Sequence, residues 1–423
     1  MAIALLDGLS AEPAPAWAAE QLVAVLRARG VPADLASDVM GTGRRPAVAA
    51  GLVSGAAGGR LRRRGGPVPS GAEAFSVVVR PGLAALVAGA DPKGSMYGLL
   101  ELADRVRYAD RALDPLTIEA TETGSPAVPV RGVLRSFASE IHDKPWFYSR
   151  EFWTEYLGEL ATQRVNRFHL ALGMQLNYSH DLGVRDNYFC FAYPFLVKPG
   201  GWDVSVTGLT ERERERNLEA LTFASNEAER RGIHFQLGLW NQAMDPGESP
   251  HLAHRVTGLS PRRQAEYCSA ALAELLNLCP SIAGLTFRVH YEGGVPEIGQ
   301  QSFWRTVLEG IASVRRPIEI DMHAKGVSDE LIEIGLAAGS PFILSAKYWA
   351  EHQGLPYHQS AIRNLERARA GAGAGLDAKT NYARRFTRYG YADFLREDRR
   401  YGLIFRVWPG TQRVLLWGDP VLA

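Results

Sequence analysis

The chain has few cysteines and no excess of charge of either sign. Its 423 residues include only three cysteines, Cys190, Cys268 and Cys279, and none of them forms a CxxC pair. That pattern argues against a disulfide framework and against a cysteine-bound zinc ion. Lysine and arginine together number 47 against 46 aspartates and glutamates, a net charge of +1. Without a basic excess, we expect no nucleic-acid partner bound through phosphates.

Long apolar runs are missing as well. No window of about 18 uncharged apolar residues occurs, so no membrane partner and no membrane-spanning helix are predicted. The first residues, MAIALLDGLSAEPAPAW, place no basic region before the short apolar run, which is not typical of a signal peptide. We therefore expect a cytoplasmic protein. A clipped N-terminus would leave a secreted or periplasmic location open.

Motifs of several common enzyme classes are also absent. The chain has no HExxH zinc motif, no GxSxG nucleophile elbow, no P-loop and no GxGxxG that opens a helix after a strand. No two of its ten histidines have a recognisable ligand spacing, so no metal ion and no cofactor is predicted. A metal-dependent sugar isomerase or lyase stays open as an alternative, because the side chains of Glu292, Asp321 and His323 would permit one.

The first 127 residues are expected to form a small α/β domain. Helical patterns occur over Pro13–Arg29 and from about Ser95, and strand patterns over Ala74–Arg80 and Ala84–Val87. Glycine, proline and arginine dominate residues 41–74, which predicts a loop there. A proline-rich exit near residues 125–130 marks the boundary, so the predicted domains are 1–127 and 128–423.

Beyond residue 127, apolar strand patterns alternate with helical stretches. Seven strands are predicted: Gly132–Ala138, Val165–Ala171, His234–Leu239, Gly284–Tyr291, Pro317–Met322, Phe342–Lys347 and Leu403–Val407. Seven successive β/α units with right-handed crossovers predict a (β/α)8 TIM-type barrel. No eighth strand is evident, because the segment PGTQR after the seventh is too short for a parallel crossover. The barrel is therefore expected to be incomplete at its C-terminal end, or to close with an irregular strand.

In such a barrel the active site lies at the carboxyl ends of the strands and in the loops that follow them. Aromatic, amide and charged residues gather at that predicted end, a mixture that suits a sugar. The candidate substrate-binding residues are His142, Asp143, Trp146, Gln175, Asn177, Trp240, Asn241, Arg288, Tyr291, His323, Lys325, Lys347, Trp349 and Trp408. Arginines within predicted strands, such as Arg406, need a carboxylate partner, which could be an internal acid or a uronic-acid substrate.

Three carboxylates at this end are candidate catalytic groups, since hydrolysis of a glycosidic bond needs two carboxyl groups across the bond. Glu292 follows the fourth predicted strand and precedes two glycines. An ion pair with Arg288 is the structural alternative for Glu292. Glu351, after the sixth strand, is the second candidate, with a solvated loop position as its alternative. Asp321 is a rival base that could equally orient the basic residues after it.

Several segments resemble known glycoside hydrolases. GADPKGSMYGLLELADRV is similar to the end of the small N-terminal domain of α-glucuronidases and β-N-acetylhexosaminidases, and RGVLRSF resembles the start of their barrel. FRVHYEGGVPE resembles the general-acid segment of family 67 α-glucuronidases, which implies that Glu292 is the acid. SAKYWAEHQG resembles the stretch where those enzymes carry a second carboxylate, which implies Glu351, with Lys347 as a contact for a substrate carboxylate. Tyr291 stands where hexosaminidases have the aspartate of an Asp-Glu pair, which argues against substrate-assisted cleavage.

The resemblance implies an α-glucuronidase-like glycosidase that acts on a uronic-acid-containing or related glycan in polysaccharide degradation. Glu292 would protonate the leaving oxygen, and Glu351 or Asp321 would activate water. A non-catalytic carbohydrate-binding relative is the alternative from another class. The expected partner is an oligosaccharide or polysaccharide substrate, and a homodimer is left open.

Overall fold

The chain folds into two compact units, described here from a computed structural model. The residues that the structure describes are 1–36, 47–80, 83–174, 186–244, 252–296, 298–324, 326–347 and 400–406. The first unit comprises Met1–Arg131, Tyr156–Asn166 and Glu227–Ile233, and the second comprises Gly132–Glu155, Arg167–Asn226 and His234–Ala423. No helix within the described ranges is both long and apolar enough to cross a membrane.

The first unit contains a mixed six-stranded sheet. Its elements are β1 (Ala2–Leu5), α1 (Pro13–Ala28), β2 (Asp34–Ala36), β3 (Ala47–Leu52), α2 (Ala56–Arg63), β4 (Phe75–Arg80), β5 (Leu83–Gly89), α3 (Pro92–Tyr108), α4 (Asp114–Thr117) and β6 (Ala120–Gly124). The strand order is β2-β1-β3-β5-β4-β6. Strands β1, β2, β3 and β5 are parallel, and β4 is antiparallel to both of its neighbours.

The prediction of a loop over residues 41–74 is wrong for part of that stretch, because β3 and α2 lie within it. The carboxylate of Asp7 accepts hydrogen bonds from the backbone N–H groups of Leu52 and Ala56, at 2.9 and 2.7 Å. The start of α2 is therefore capped by a residue almost 50 positions away. Glycine-rich composition hid this helix, since its cap comes from tertiary structure.

The start of α3 shows why the segment DPKGSMYG is rich in glycine. Asp91 caps the helix, with its carboxylate accepting from the backbone N–H of Gly94 at 2.7 Å. A side chain at Gly94 would collide with the backbone oxygen of Ala74, and one at Gly98 would lie 2.5 Å from Val87. The glycines therefore let α3 pack closely against the sheet.

The elements after residue 131 include seven parallel strands. They are β7 (Gly132–Phe137), α5 (Glu140–Phe147), α6 (Arg150–Thr162), β8 (Arg167–Leu172), α7 (Tyr193–Leu196), β9 (Ser205–Val206), α8 (Glu211–Arg230), β10 (His234–Leu239), β11 (Val256–Thr257), α9 (Gln264–Leu278), β12 (Ile282–Arg288), α10 (Gln300–Ala312), β13 (Glu319–His323), α11 (Asp329–Ala337), β14 (Phe342–Lys347) and β15 (Gly402–Arg406). Strands β9 and β11 form a separate short antiparallel pair.

The seven strands form one parallel sheet with the order β15-β14-β13-β12-β10-β8-β7. Each strand except β7 pairs with the previous strand of the series along the chain, as in a barrel. Within the described ranges, β7 and β15 each have a single neighbour. The predicted incomplete TIM-type barrel is thus confirmed, and the bounds of β10 and β14 are those expected from the sequence.

Alternation along the strands gives the sheet one apolar face and one polar face. On the helix-covered face, Phe168 of β8 contacts Trp153 of α6, and Phe287 of β12 contacts Trp304 of α10. Residues on the other face are paired by the strand register, as Thr286 is with Asp321. This inner face carries polar side chains in place of the branched apolar layers that usually fill such barrels.

Candidate active site

Polar side chains of the inner face form a connected column. At the amino ends of the strands, Arg167 forms an ion pair with Glu319 at 2.7 Å. His234 Nε2 lies 2.8 Å from the side-chain oxygen of Gln236, and the amide of Gln236 donates to Thr286 Oγ1 at 3.1 Å. The column therefore leads along the strands toward Asp321, the partner of Thr286 in the register.

Asp321 is the middle residue of β13 and is 2% exposed. Its Oδ2 atom accepts hydrogen bonds from Thr286 Oγ1 at 2.8 Å and from Arg406 Nη2 at 2.9 Å. Its Oδ1 atom is buried and has no hydrogen-bond partner among the described residues. One carboxylate oxygen is thus fixed in position while the other keeps its capacity to accept a proton or a hydrogen bond.

Trp240, directly after β10, is the centre of the polar cluster at the carboxyl ends. Its ring lies 6.2 Å from the ring of His169, nearly parallel to it, and 5.3 Å from the ring of His323. The guanidinium groups of Arg288 and Arg406 lie 5.9 and 5.2 Å from its centroid. The fold therefore brings together three of the predicted substrate-binding residues, namely Trp240, Arg288 and His323.

Glu292 lies in a short 3₁₀ turn over Tyr291–Gly293, directly beyond β12. Its side chain is 2% exposed, and its Oε2 atom accepts from Arg288 Nη2 at 2.6 Å. The backbone N–H of Glu292 donates to His290 Nδ1 at 3.2 Å. The ion pair with Arg288, the alternative left open at the sequence level, is therefore present. Such a pair stabilises the ionised carboxylate, whereas a general acid must carry a proton.

His169 and Arg406 also belong to this cluster. His169 was not predicted, whereas Arg406 was expected to need a carboxylate partner, which the structure shows to be the internal acid Asp321. Arg406 Nη1 lies 3.2 Å from His169 Nδ1. Burial lowers the pKa of His169 well below its usual 6.5, and the nearby charges of Arg406 and Arg167 add to the effect. His169 is therefore neutral near pH 7. The alternation in the segment FHLAL, with a histidine between apolar residues, is the signal that could have placed it on the inner face.

His142, Asp143 and Trp146 lie in α5, where the sequence predicted a loop. The Asp143 carboxylate accepts from the backbone N–H groups of Ala138 and Ser139, at 2.6 and 2.8 Å, and from Trp146 Nε1 at 2.8 Å. The Arg135 guanidinium covers the ring of Trp146 at 4.3 Å. Asp143 and Trp146 are therefore engaged in holding the start of α5, and His142 is exposed.

The remaining candidates divide into described and undescribed positions. Asn241 is buried, and its side-chain oxygen accepts from the backbone N–H of Ala243 at 3.2 Å. Tyr291 is 45% exposed. Lys347 pairs in register with Arg406. The other candidates lie outside the described residues: Gln175, Asn177, Lys325, Trp349, Glu351 and Trp408. The predicted pairing of Glu292 with Glu351 therefore stays a prediction.

Metal ligands and reactive thiols give no further site in the part of the chain that is described. No group of three or more His, Cys, Asp or Glu side chains there is arranged to hold a metal ion. The three cysteines are buried and free of disulfides. Burial raises the pKa of the Cys279 thiol to about 11, and it raises the pKa values of Cys190 and Cys268 further. These thiols are therefore not activated nucleophiles.

Comparison with known proteins gives matches among solved structures alone. No protein-family model matches the chain, and no curated protein matches it. A family 138 glycoside hydrolase described as targeting pectin rhamnogalacturonan II superposes with a TM-score of 0.61 at 17% identity, over 96% of this chain and 46% of that one. The family 20 β-N-acetylhexosaminidase from Streptomyces coelicolor A3(2) has a TM-score of 0.49 at 15% identity, and the match covers 90% of this chain and 80% of that one. The β-N-acetylhexosaminidase from Bacteroides fragilis has a TM-score of 0.48 at 12% identity, and the match covers 94% of this chain and 88% of that one.

The likeness to the family 138 enzyme shows a shared fold, which is one that glycoside hydrolases use. The present chain spans less than half of that enzyme's length. Because this likeness shows the fold alone, it gives no support to the assignment to family 67 α-glucuronidases.

Proposed function

We propose that the chain carries the site of a glycoside hydrolase that cleaves a uronic-acid-containing or related glycan by carboxylate acid/base catalysis. The observation that carries the proposal is Asp321, a buried carboxylate with Oδ2 held by Thr286 and Arg406 and with Oδ1 lacking a hydrogen-bond partner among the described residues. An aromatic face next to buried polar groups is the usual composition of a sugar site. The description of the family 138 enzyme, which names a pectin polysaccharide, supports polysaccharide degradation as the setting.

Asp321 is the general base in this proposal. Arg406 and Thr286 hold Oδ2 in a fixed position through hydrogen bonds of 2.9 and 2.8 Å. Oδ1 then accepts the proton of a water molecule as the water oxygen attacks the anomeric carbon. Attack by water from the face opposite the leaving group inverts the configuration of the sugar.

Glu292 is the general acid in this proposal, provided that its ion pair with Arg288 is first broken. Its carboxylate must be protonated before it can donate a proton to the leaving oxygen, but Arg288 stabilises the anion. Arginine binds carboxylates through two parallel hydrogen bonds. A uronate carboxylate that takes the donors of Arg288 would release Glu292 to take up a proton. The substrate class and the acid role are linked in this way.

The test is the release of reducing sugar from aldouronic acids, rhamnogalacturonan fragments and aryl glycosides. We expect Asp321→Asn to lose about 10²–10⁴-fold in kcat whatever the leaving group, since a general base contributes about that factor. Glu292→Gln should lose as much with poor leaving groups and little with a dinitrophenyl leaving group. Glu309→Gln, an exposed glutamate of α10, is the matched control. Full activity of Asp321→Asn would overturn the assignment.

A carbohydrate-binding protein without turnover is the second candidate. The observation that favours it is that both buried carboxylates, Asp321 and Glu292, form ion pairs with an arginine. Such pairs suit a static network that recognises hydroxyl groups. Binding of a glycan from the panel with no release of reducing sugar, in the wild-type chain, would decide for this candidate.

A further inference from the structure

Two buried ring nitrogens lie close together on the inner face of β10, next to Gly238. A Cβ atom at Gly238 would lie 2.7 Å from Trp240 Nε1, and it would collide with His169 Nε2. Both nitrogens thus lie within 3 Å of the position of this Cβ atom, so the distance between the two nitrogens is at most about 6 Å. Neither nitrogen has a hydrogen-bond partner among the described residues.

Both nitrogens are hydrogen-bond donors. The indole Nε1 of tryptophan always carries its proton. In His169, Nδ1 faces Arg406 Nη1 at 3.2 Å, and a guanidinium group can only donate. Nδ1 is therefore the acceptor, and the proton of the neutral ring is on Nε2. Two donors at this separation can share one acceptor oxygen at ordinary hydrogen-bond distances of about 2.7–3.2 Å.

An acceptor for a proton lies in the same network. The guanidinium group of Arg406 contacts His169 through Nη1 and Asp321 Oδ2 through Nη2. Asp321 Oδ1 is buried and has no partner among the described residues. An oxygen that accepts from two N–H donors and can still donate its own proton is a neutral hydroxyl, of a sugar ring or of water.

We propose that His169 and Trp240 form a hydroxyl subsite, in which a neutral ring hydroxyl of a bound sugar accepts hydrogen bonds from His169 Nε2–H and Trp240 Nε1–H. Arg406 is a positioning residue that fixes the tautomer of His169. The identity of the ligand as a sugar rests on the proposed function, whereas the donor pair does not.

The first test measures the donors without a ligand. In protein labelled with ¹⁵N-histidine, we expect His169 as a single Nε2–H tautomer between pH 6 and 8. Arg406→Met removes the donor to Nδ1, and we expect a mixture of tautomers in that variant. A wild-type His169 protonated on Nδ1 would overturn the proposal, because Nε2 would then be an acceptor.

The second test follows the indole N–H signals, with that of Trp240 assigned from Trp240→Phe. The probes are galacturonic acid, glucuronic acid, galactose and, as the simplest polyol, glycerol. The signal of Trp240 should shift on saturation. The signals of Trp153 and Trp304 should stay in place, because their N–H groups already donate to the carbonyls of Phe147 and Val289 at 2.8 and 2.9 Å.

Variants of His169 separate hydrogen bonding from packing. We expect His169→Leu to weaken sugar binding at least tenfold, and His169→Gln, whose amide can donate, to weaken it about threefold. A sugar that is hydrolysed while the Trp240 signal stays fixed would overturn the subsite and leave the hydrolase standing. A Trp240 shift with glycerol but no turnover of any glycan would support the subsite and overturn the hydrolase. No shift with any probe would overturn the subsite.

Discussion

Gly238 is the position where a single methyl group should test the geometry of the site most directly. In Gly238→Ala the new Cβ atom would collide with His169 Nε2 and lie 2.7 and 3.1 Å from two atoms of the Trp240 ring. Both rings belong to the buried cluster, so neither can move without disturbing Arg406, which contacts both of them. Forcing extra volume into a packed interior costs about 1–3 kcal/mol.

The assay is urea unfolding, with the free energy of unfolding taken from the midpoint and slope. Gly132→Ala is the matched control, a glycine of the same sheet that pairs with Arg167. There the new Cβ atom would lie 3.4 Å from its nearest neighbour, which is an ordinary contact. We expect no loss in the control and a gain of up to about 1 kcal/mol, because alanine restricts the unfolded chain.

Glycan binding of Gly238→Ala should fall together with its stability, because both donors of the hydroxyl subsite are displaced. Equal stability of Gly238→Ala and Gly132→Ala would show that the rings are not packed against Gly238 as described, and the reasoning would be refuted.

Three further perturbations have defined outcomes. The pKa of His169 is depressed in the folded chain, so below about pH 6.5 the unfolded chain binds a proton that the folded chain does not. The free energy of unfolding should therefore fall with decreasing pH, by up to about 1.4 kcal/mol per pH unit. If this pH dependence were unchanged in His169→Gln, the assignment to His169 would be contradicted. Arg288→Met removes the cation beside buried Glu292 and should lower the free energy of unfolding in urea by about 3–5 kcal/mol. Most of this loss should be recovered in the double variant Arg288→Met/Glu292→Leu, which has no unpaired charge. A loss below about 1 kcal/mol in the single variant would argue against a buried ion pair. Asp143→Ala should destabilise the protein by about 1 kcal/mol, because it removes a carboxylate that caps the start of α5. It should also change the fluorescence of Trp146, because the indole N–H of Trp146 donates to that carboxylate. An unchanged spectrum would count against this hydrogen bond.

Local patterns determined most of the barrel strands and several of the helices. The strand His234–Leu239 has the bounds expected from the sequence, because apolar residues alternate along it. The ion pair of Glu292 with Arg288 could also be named as an alternative in advance, since the two residues are four positions apart in the chain.

Two helices, α5 and α2, were not predicted from the sequence. Helix α5 contains Pro145, which disfavours a helix interior, and it is held at its start by Ser139 and Asp143. Helix α2 depends on the distant carboxylate of Asp7. Neither cap follows from periodicity, because each depends on a backbone conformation or a neighbour that the linear pattern does not contain.

The sequence by itself determined that polar and aromatic residues gather at the carboxyl ends of parallel strands, since alternation and strand order are local properties. Tertiary structure alone decided which of them meet. Asp321 bonds to Arg406, which is 85 residues away, because β14 lies between their strands and sets their register. Tertiary structure also brings Arg406 of β15 within 3.2 Å of His169 Nδ1 on β8, because the side chains meet on the inner face although the two strands are not neighbours in the sheet.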